Sequence, residues 1–573
     1  MQGLSATGRA WVGVEVDQQK AAQLARELVV PETVGRLLVG RGYGDLESAA
    51  KFLYPDAGHL HDPRLLPDYE AAVKAILGAK ERGEKIYVHG DYDVDGVTSA
   101  ALLTRFLKRL DCDVVPHVPH RMREGYGIHL DAVGWAKEQG CKLFLTCDCG
   151  VQAHEQIRAV NEAGMTAVVT DHHELGETLP EAVAVVNPHR RESAYPFAEI
   201  SGVGVVFKLC MGIADELGIR RENYLRAYLD LAVMGTVADV MPLTDENRVI
   251  TSLGLPVLRD SKKAGVQALL KVASLDMADR LTARNIGFQL GPRINAVGRV
   301  DDASTALDLL LTDDPVEAFG LAQALDAANL LRRSHQDEAL AQAIARVEAM
   351  PELPAVIVVD SEGWHPGVVG IVAGKLVEKF GRPTFVLSVD EAGNAKGSAR
   401  SIEGFHLKEA IDLHRHLIIG GGGHAMAAGV NVSGQNLVAF SESVAAHAQA
   451  TLSPDAFLFK VKYDAEATMA EAGPDAFTQI NRMEPFGHGN PEPVWLVRDV
   501  ELVGMRPTRK PEHVGVTLAQ NGRKRGAMAF GIGESFAGKK IGDRMDVLVK
   551  MDMSEYRGQQ EFRWTVVDHR PSG

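Results

Sequence analysis

Three stretches of the chain set acidic or imidazole side chains directly after an apolar run: Asp91-Tyr92-Asp93-Val94-Asp95-Gly96, Asp148 within Thr146-Cys147-Asp148-Cys149-Gly150, and Asp171-His172-His173. Carboxylates mixed with neutral imidazoles suit manganese, magnesium or zinc, and several of them together suit a pair of ions. Paired cations in a net-negative ligand set suit hydrolysis at phosphorus. A phosphodiester repels hydroxide, and its leaving alkoxide needs stabilising. Two ions address both problems by lowering the pKa of bound water towards ~7 and clamping the attacking and leaving oxygens, without a covalent nucleophile.

Each stretch alone has a plainer reading. Asp-x-Asp-x-Asp-Gly opens a calcium loop, but the twelfth position, where such a loop needs a bidentate Glu, is Leu102, and residues 97–110 read as an amphipathic helix. A solvated acidic turn and a pair of surface histidines are ordinary features as well. Cys147 and Cys149 beside Asp148 raise zinc-thiolate ligation; side chains alternate along a strand, so an inward Asp148 turns both cysteines away towards packing. The joint pattern carries the metal reading: three strand ends in order within about eighty residues.

The elements that must position these groups follow from periodicity. Residues 86–89, 142–145 and 166–170 read as short buried strands of an open α/β sheet, where ligands collect at the carboxyl ends. From Asp314-Pro315 to Met350-Pro351 runs a stretch with Leu321, Leu325, Ala328, Leu331 and Leu340 at near-helical spacing, which predicts one long connecting helix. Residues 355–359 then start a new αβ unit, and Leu452-Ser453-Pro454-Asp455 breaks the pattern again. The expected architecture is multidomain α/β: a helical lead-in over 1–60, a parallel-sheet domain over 61–313, the connecting helix over 314–350, a smaller α/β domain over 351–455 and an OB-like β-barrel over 456–573.

At 573 residues, 46% hydrophobic and 24% charged, the chain has the make-up of an ordinary globular protein with room for three or four domains of ~150 residues. Five cysteines, an odd number, and no basic-plus-apolar leader in residues 1–17 predict a reducing cytoplasm; the absence of any run of eighteen apolar residues predicts no membrane span. A net charge of −15 argues against indiscriminate nucleic-acid binding over the whole surface. Residues 501–573 nevertheless carry 13 Lys plus Arg against 9 Asp plus Glu, leaving −19 for the remainder. Arg506, Arg509, Lys510, Arg523, Lys524 and Arg525 lie there among short alternating strands, which suits a single-strand-binding barrel, although a plain solvated barrel surface has the same look.

Two glycine motifs can handle phosphate. Gly397-Ser398 and Gly420 to Gly423 let backbone amides approach an anion, and Arg400 can hold one through its planar fork; tight turns and a surface arginine account for the same residues equally well. Gly370-Ile371-Val372-Ala373-Gly374-Lys375 superficially resembles a P-loop, but the glycine spacing is too short and Leu376 stands where a magnesium-binding Ser or Thr is required, so ATP hydrolysis is not expected. Arg123 and Tyr126 can pair with phosphate and stack a base, or simply pack a loop.

Further motifs follow in order: Gly235-Thr-Val-Ala-Asp239-Val-Met-Pro242, Gly291-Pro-Arg-Ile-Asn295, Gly363-Trp-His-Pro-Gly-Val-Val-Gly370, Gly397-Ser-Ala-Arg-Ser401, Gly421-Gly-Gly-His-Ala-Met-Ala-Ala-Gly429 and Pro485-Phe-Gly-His-Gly-Asn-Pro491. Together with the acidic stretches they resemble the DHH phosphoesterase superfamily, and within it the bacterial single-strand-specific exonucleases, over nearly the whole chain. The resemblance implies one metal held by Asp93 and Asp148, with His89 as a further ligand, and a second held by Asp95, Asp148, His172 and Asp239. Asp148 would bridge the two, at the roughly 3.5–4 Å usual for paired ions. Asp91 and His173 would orient ligands or meet phosphoryl oxygens. The DHH-associated domain would close over the metals with Ser398, Arg400, Ser401, Gly422, Gly423 and His424 touching substrate, joined by Arg293, Asn295, Arg123 and Tyr126.

The activity so implied is removal of nucleotides from linear single-stranded DNA with two manganese or magnesium ions, 5′ to 3′, in recombination and repair, with a helicase and a single-strand-binding protein as candidate partners. Two other classes stay open. One is a DHH phosphodiesterase for short oligonucleotides or cyclic dinucleotides, which the OB-like segment disfavours; the other is a non-catalytic nucleic-acid-binding scaffold, against which intact Asp93, Asp95, Asp148, His172 and Asp239 argue.

Overall fold

A computed structural model describes every residue except 1–3, 121–123, 126, 301, 557–558 and 573. The chain divides into two compact units, one of residues 43–329 with 479–492, the other of residues 1–42, 330–478 and 493–573. Strand β1 (Ala10–Gly13) belongs to the latter. The former is built on a parallel sheet of β2 (Ile86–Gly90), β3 (Val114–His117), β4 (Leu143–Cys147), β5 (Thr166–Thr170) and β6 (Ala184–Val186), in the order β3-β2-β4-β5-β6.

Both faces of this sheet are covered, so its strands are near-continuous apolar runs. Val88, Leu145, Val168 and Val186 face the larger core, shared with the Val94–Arg109 and Gly202–Glu216 helices, whereas Tyr87, Phe144, Val169 and Val185 face a second one. The chain leaves β2 for β3 on one side and then takes up β4 on the other. The carboxyl ends of β2 and β4 therefore flank a topological switch point, where open α/β sheets bind ligands.

Residues 479–492 fold with this unit rather than with the barrel around them in sequence, which departs from the expected 456–573 segment. Arg248, 2% exposed, is one tie that holds them there: its guanidinium donates to Phe52 O at 2.6 Å, Met483 O at 2.9 Å and Glu484 O at 2.8 Å and lies over the Phe52 ring. A buried cation costs several kcal/mol unless its donors are met, and residues 482–484 supply the acceptors.

The long helix runs Pro315–Glu348. Beyond it, β7 (Ile357–Ser361), β8 (Thr384–Val389), β9 (Ala395–Arg400), β10 (Gly420–Gly423) and β11 (Ala427–Val432) form a mixed sheet in the order β10-β11-β9-β8-β7. The Val369–Phe380 helix packs on one face; Leu407–Leu413 and Leu437–Thr451 pack on the other. The P-loop-like Gly370 to Lys375 is helix interior, with no phosphate loop.

Next come β12 (Lys460–Tyr463), β13 (Ala465–Glu466), β14 (Trp495–Pro507), β15 (His513–Gln520), β16 (Arg523–Phe530), β17 (Arg544–Tyr556) and β18 (Gln559–Pro571). The pairing β14-β15-β16-β18-β17 returns to β14, closing a five-stranded barrel in which β16 and β18 run parallel. The first sixty residues hold the helices Gln18–Leu28, Glu32–Gly40 and Leu46–Leu53 and, ahead of them, a strand that the expected helical lead-in lacks: β1 pairs in parallel with β12, Ala10 opposite Lys460, and Trp11 Nε1 donates to Asp568 Oδ2 at 2.8 Å. A partner strand about 450 residues away leaves no periodic trace in residues 1–60. Among the described residues no helix is long and apolar enough to cross a membrane, and all five cysteines are free thiols.

Candidate metal centre

The site is assembled where β2, β4 and β5 end. After Gly90 the chain turns through Asp91 and starts the Val94–Arg109 helix, capped by Asp93, whose Oδ1 accepts from Gly96 N at 3.1 Å. The turn is tight enough to require glycine: a Cβ on Gly96 would lie 2.4 Å from Asp91 N. Asp95 points back from the first helical turn, 1% exposed, and both its oxygens accept amides at the start of the Gly202–Glu216 helix, Gly202 N at 2.7 Å and Val203 N at 2.8 Å. Free N–H groups and the helix dipole there fix the carboxylate.

Asp148 leaves β4 with φ +61°, a left-handed conformation that Asp tolerates better than most residues, and its N–H donates to Thr170 O at 3.0 Å. Asp171 follows β5. Its Oδ2 accepts from Val151 N at 2.9 Å and its Oδ1 from His172 N at 2.8 Å and His173 Nδ1 at 2.8 Å. Asp239 caps the carboxyl end of the Arg221–Ala238 helix.

Three groups of potential ligand atoms result, each within 4.8 Å: Asp91, Asp93 and Asp148; Asp95, His172 and Asp239; Asp148, His172 and His173. His172 Nε2 lies 3.1 Å from Asp148 Oδ1, 3.6 Å from Asp239 Oδ2 and 3.8 Å from Asp95 Oδ2. His89 stands outside these groups; its Nε2 meets Gly127 O at 3.2 Å, while Nδ1 is buried with no hydrogen-bond partner. Cys147 and Cys149 pack into opposite cores with thiols pushed up by burial, so neither is poised as a thiolate.

Electrostatics show what the cluster lacks. Burial, then Asp93, pushes Asp91 up to about 8 and Asp95 up to about 7; burial, then Asp95 and Asp93, pushes Asp239 up to about 8. Asp148 is pushed well up by burial and by the four other carboxylates. Burial, with His173 nearby, lowers His172 to about 4, so its ring is neutral and its lone pair free. Burial works against a charge on His173 too, but the Asp171 hydrogen bond and charge prevail and raise it to about 9. Mutual repulsion among carboxylates, a neutral imidazole between them and buried Asp91 and Asp148 oxygens without partners fit divalent cations.

Other expected site residues separate into free and committed groups. Arg293 is spent on Asp326 at 2.8 Å and Gln289 O at 2.7 Å, and Asn295 Oδ1 accepts from Val94 N at 3.1 Å, steadying the helix that carries Asp93 and Asp95. Arg123 and Tyr126 lie outside the described residues. In the second unit Ser398 and Arg400 share one face of β9, where a Cβ on Gly370 would lie 3.2 Å from Ser398 Oγ and 3.4 Å from Arg400 Nη2. Arg400 donates to Ala399 O at 2.8 Å and, among the described residues, pairs with no carboxylate. Ser401 is buried and donates to Phe405 O at 2.6 Å, while His424 is exposed. Across the sheet Gly422 pairs with Gly429 and Gly429 with Ser398, leaving bare backbone beside Ser398, while Arg400 lies opposite Ala427.

Two supports escaped the sequence reading. Asp171 was visible only as part of Asp-His-His, and Gly202 not at all: a Cβ there would lie 2.5 Å from Asp148 Oδ1. Ser201 before the apolar run Val203, Val205 and Val206 is the signal, a helix cap, and its Oγ does accept from Gly204 N at 3.1 Å.

Residues 85–236 match the DHH family N-terminal domain, 353–450 the DHHA1 domain and 463–568 the RecJ OB domain. The chain is 36% identical to the single-stranded-DNA-specific exonuclease RecJ of Bacillus subtilis (strain 168), covering 97% of this chain and 70% of that protein. It is 33% identical to the protein of the same name from Escherichia coli (strain K12), over 96% and 97% of the two. The crystal structure of RecJ in complex with Mn2+ from Thermus thermophilus is similar with a TM-score of 0.84 at 28% identity, covering 99% of this chain and 80% of that one.

Proposed function

The chain belongs to the RecJ family of DHH phosphoesterases, and from that premise we propose that it is a metal-dependent exonuclease acting on linear single-stranded DNA, 5′ to 3′, in recombination and repair. The observation that carries this reading is the convergence of four further carboxylates and a neutral imidazole around Asp148. Two manganese or magnesium ions, when bound, supply hydroxide at neutral pH and stabilise the attacking and leaving oxygens.

Asp93 and Asp148, with Asp91 adjoining, would hold one ion; Asp95, His172 and Asp239, sharing Asp148, would hold the other. His89 would join the first, since its Nε2 contact to a backbone carbonyl leaves Nδ1 with the lone pair, as in ligating histidines generally. Asp95 is prevented from swinging by two backbone amides. His173, hydrogen-bonded to Asp171 and 41% exposed at the side chain, would meet a phosphoryl oxygen as a cation. Arg400 and the bare Gly422–Gly429 backbone would hold the strand terminus, and the barrel cations the phosphates further along. A helicase and a single-strand-binding protein are partners suited to supplying and guarding such a substrate.

Digestion of 5′- and 3′-labelled linear strands beside a circular single strand, with manganese or magnesium, tests the reading. Release of 5′-terminal nucleotides first, with the circle intact, is the expected result. Cleavage confined to di- or trinucleotides would favour a short-substrate phosphodiesterase, and no cleavage with strand binding retained a scaffold.

A further inference from the structure

The Val94–Arg109 helix carries Asp93 and Asp95 at its amino end; at its other end, about 24 Å away at 1.5 Å per residue, the same unit holds a cleft of about 1030 Å3. Six Lys and Arg side chains line it against three Asp. The carboxylates are already engaged: Asp313 takes Arg105 at 2.9 Å, Asp230 takes Lys263 at 2.8 Å and Asp260 takes Arg259 at 2.9 Å. Lys108, Arg109, Arg226 and Lys262 are exposed and, among the described residues, make no hydrogen bond or ion pair; Lys262 only lies within the field of Asp260.

Helix dipoles account for part of this charge. The Val94–Arg109, Asp245–Arg259 and Ser304–Leu311 helices end at the cleft, and Lys108 and Arg109 in a last turn are where a carboxyl-terminal dipole favours cations. Arg226, in the second turn of Arg221–Ala238, and Lys262, in the loop ahead of Ala264–Val272, have no such explanation. Between the cations, Ala227, Pro256, Val257 and Leu311 form a partly exposed apolar wall. A concave site of this size with an apolar wall and a few convergent charges suits a ligand of mixed character more than a bare inorganic anion.

The geometry points to a second ligand site, distinct from the metal centre, that takes a nucleoside polyphosphate: phosphates on Lys108, Arg109, Arg226 and Lys262, base against Pro256, Val257 and Leu311. The test is calorimetry of the full chain with ATP as the probe, in EDTA, because divalent ions at the metal centre would themselves take up phosphate. Saturable binding is expected, weakened at least tenfold in an Arg226→Ala/Lys262→Ala double variant and in Lys108→Glu, with ATP preferred over inorganic triphosphate. Both variants should melt like the parent and digest single strands at an unchanged rate with manganese. The proposal is overturned by absence of saturable ATP binding, by equal affinity in parent and variants, or by triphosphate binding as well as ATP. Loss of 20-mer single-strand binding in the double variant without any ATP binding would overturn it too, assigning the cleft to nucleic-acid backbone.

Discussion

Asp148 is the residue on which the ligand groups overlap, and it is also the carboxylate most burdened by its neighbours. Asp148→Asn keeps the shape and removes the charge, so hydrolysis should fall by more than about 10³-fold while strand binding and the metal-free melting temperature hold, because one repelling carboxylate is gone. Near-parental turnover in a contaminant-free preparation would dismiss the assignment. Asp171→Asn should cost less, about 10–100-fold, since Asp171 acts by orienting His173. The raised carboxyls also predict a proton count. Asp91 and Asp239 near 8 and Asp95 near 7 hold protons in the folded metal-free protein at pH values where an unfolded chain has lost them. That stability is fully present below about pH 4 and is lost as pH rises through 7 to 8. Metal displaces those protons, so manganese binding at pH 7 should release more than one proton per chain and tighten with rising pH. Calorimetry in two buffers of different ionisation enthalpy measures this, and zero release would contradict it.

At the scale of elements, the site depends on how closely the Gly202–Glu216 helix approaches β4. Gly202→Ala places a methyl group 2.5 Å from Asp148 Oδ1, so the helix or the carboxylate must move. Overpacking of this kind costs about 1–3 kcal/mol, and manganese affinity should fall with it, whereas Gly134→Ala, in open space within the Leu130–Glu138 helix, should leave manganese affinity unchanged and raise stability by about 0.5–1 kcal/mol through helix propensity. Equal metal affinity in the two variants would show that the approach is not what sets Asp148. The carboxyl ends of β2, β4 and β5 were legible in the sequence because each apolar run stops at an acid or a histidine. The Gly202 approach was not, because close packing between elements distant in sequence leaves only a small residue behind. The same limit hid the pairing of β1 with β12 and the capture of residues 482–484 by Arg248. In the second unit, Arg400→Ala should lower kcat/KM for a 5′-phosphorylated strand more than for a 5′-hydroxyl strand and leave manganese affinity intact. Equal losses on both strands, with weaker metal binding, would mark Arg400 as structural.

For the whole molecule, the charge distribution separates binding from chemistry: the barrel is cationic within a chain of net charge −15. Deleting residues 456–573 is a poor way to test this, since it would strip β12 from β1 and residues 482–484 from Arg248, unsettling both units. Point substitutions avoid that damage. Arg506, Arg509 and Lys510 are exposed around the end of β14, where they can be neutralised without touching the barrel core of Trp495, Leu502 and Trp564. If each meets one phosphate of a long single strand, the triple Ala variant should reduce the slope of log K against log salt by up to about two, from ~0.7 per contact. KM for long strands should rise at physiological salt and kcat should hold, because the ligand set is untouched. Trinucleotide hydrolysis should change little, since so few phosphates gain little from counterion release. An unchanged salt slope, or a triple variant that loses trinucleotide cleavage while binding long strands normally, would remove the barrel from substrate binding and give it a supporting role for the metal centre.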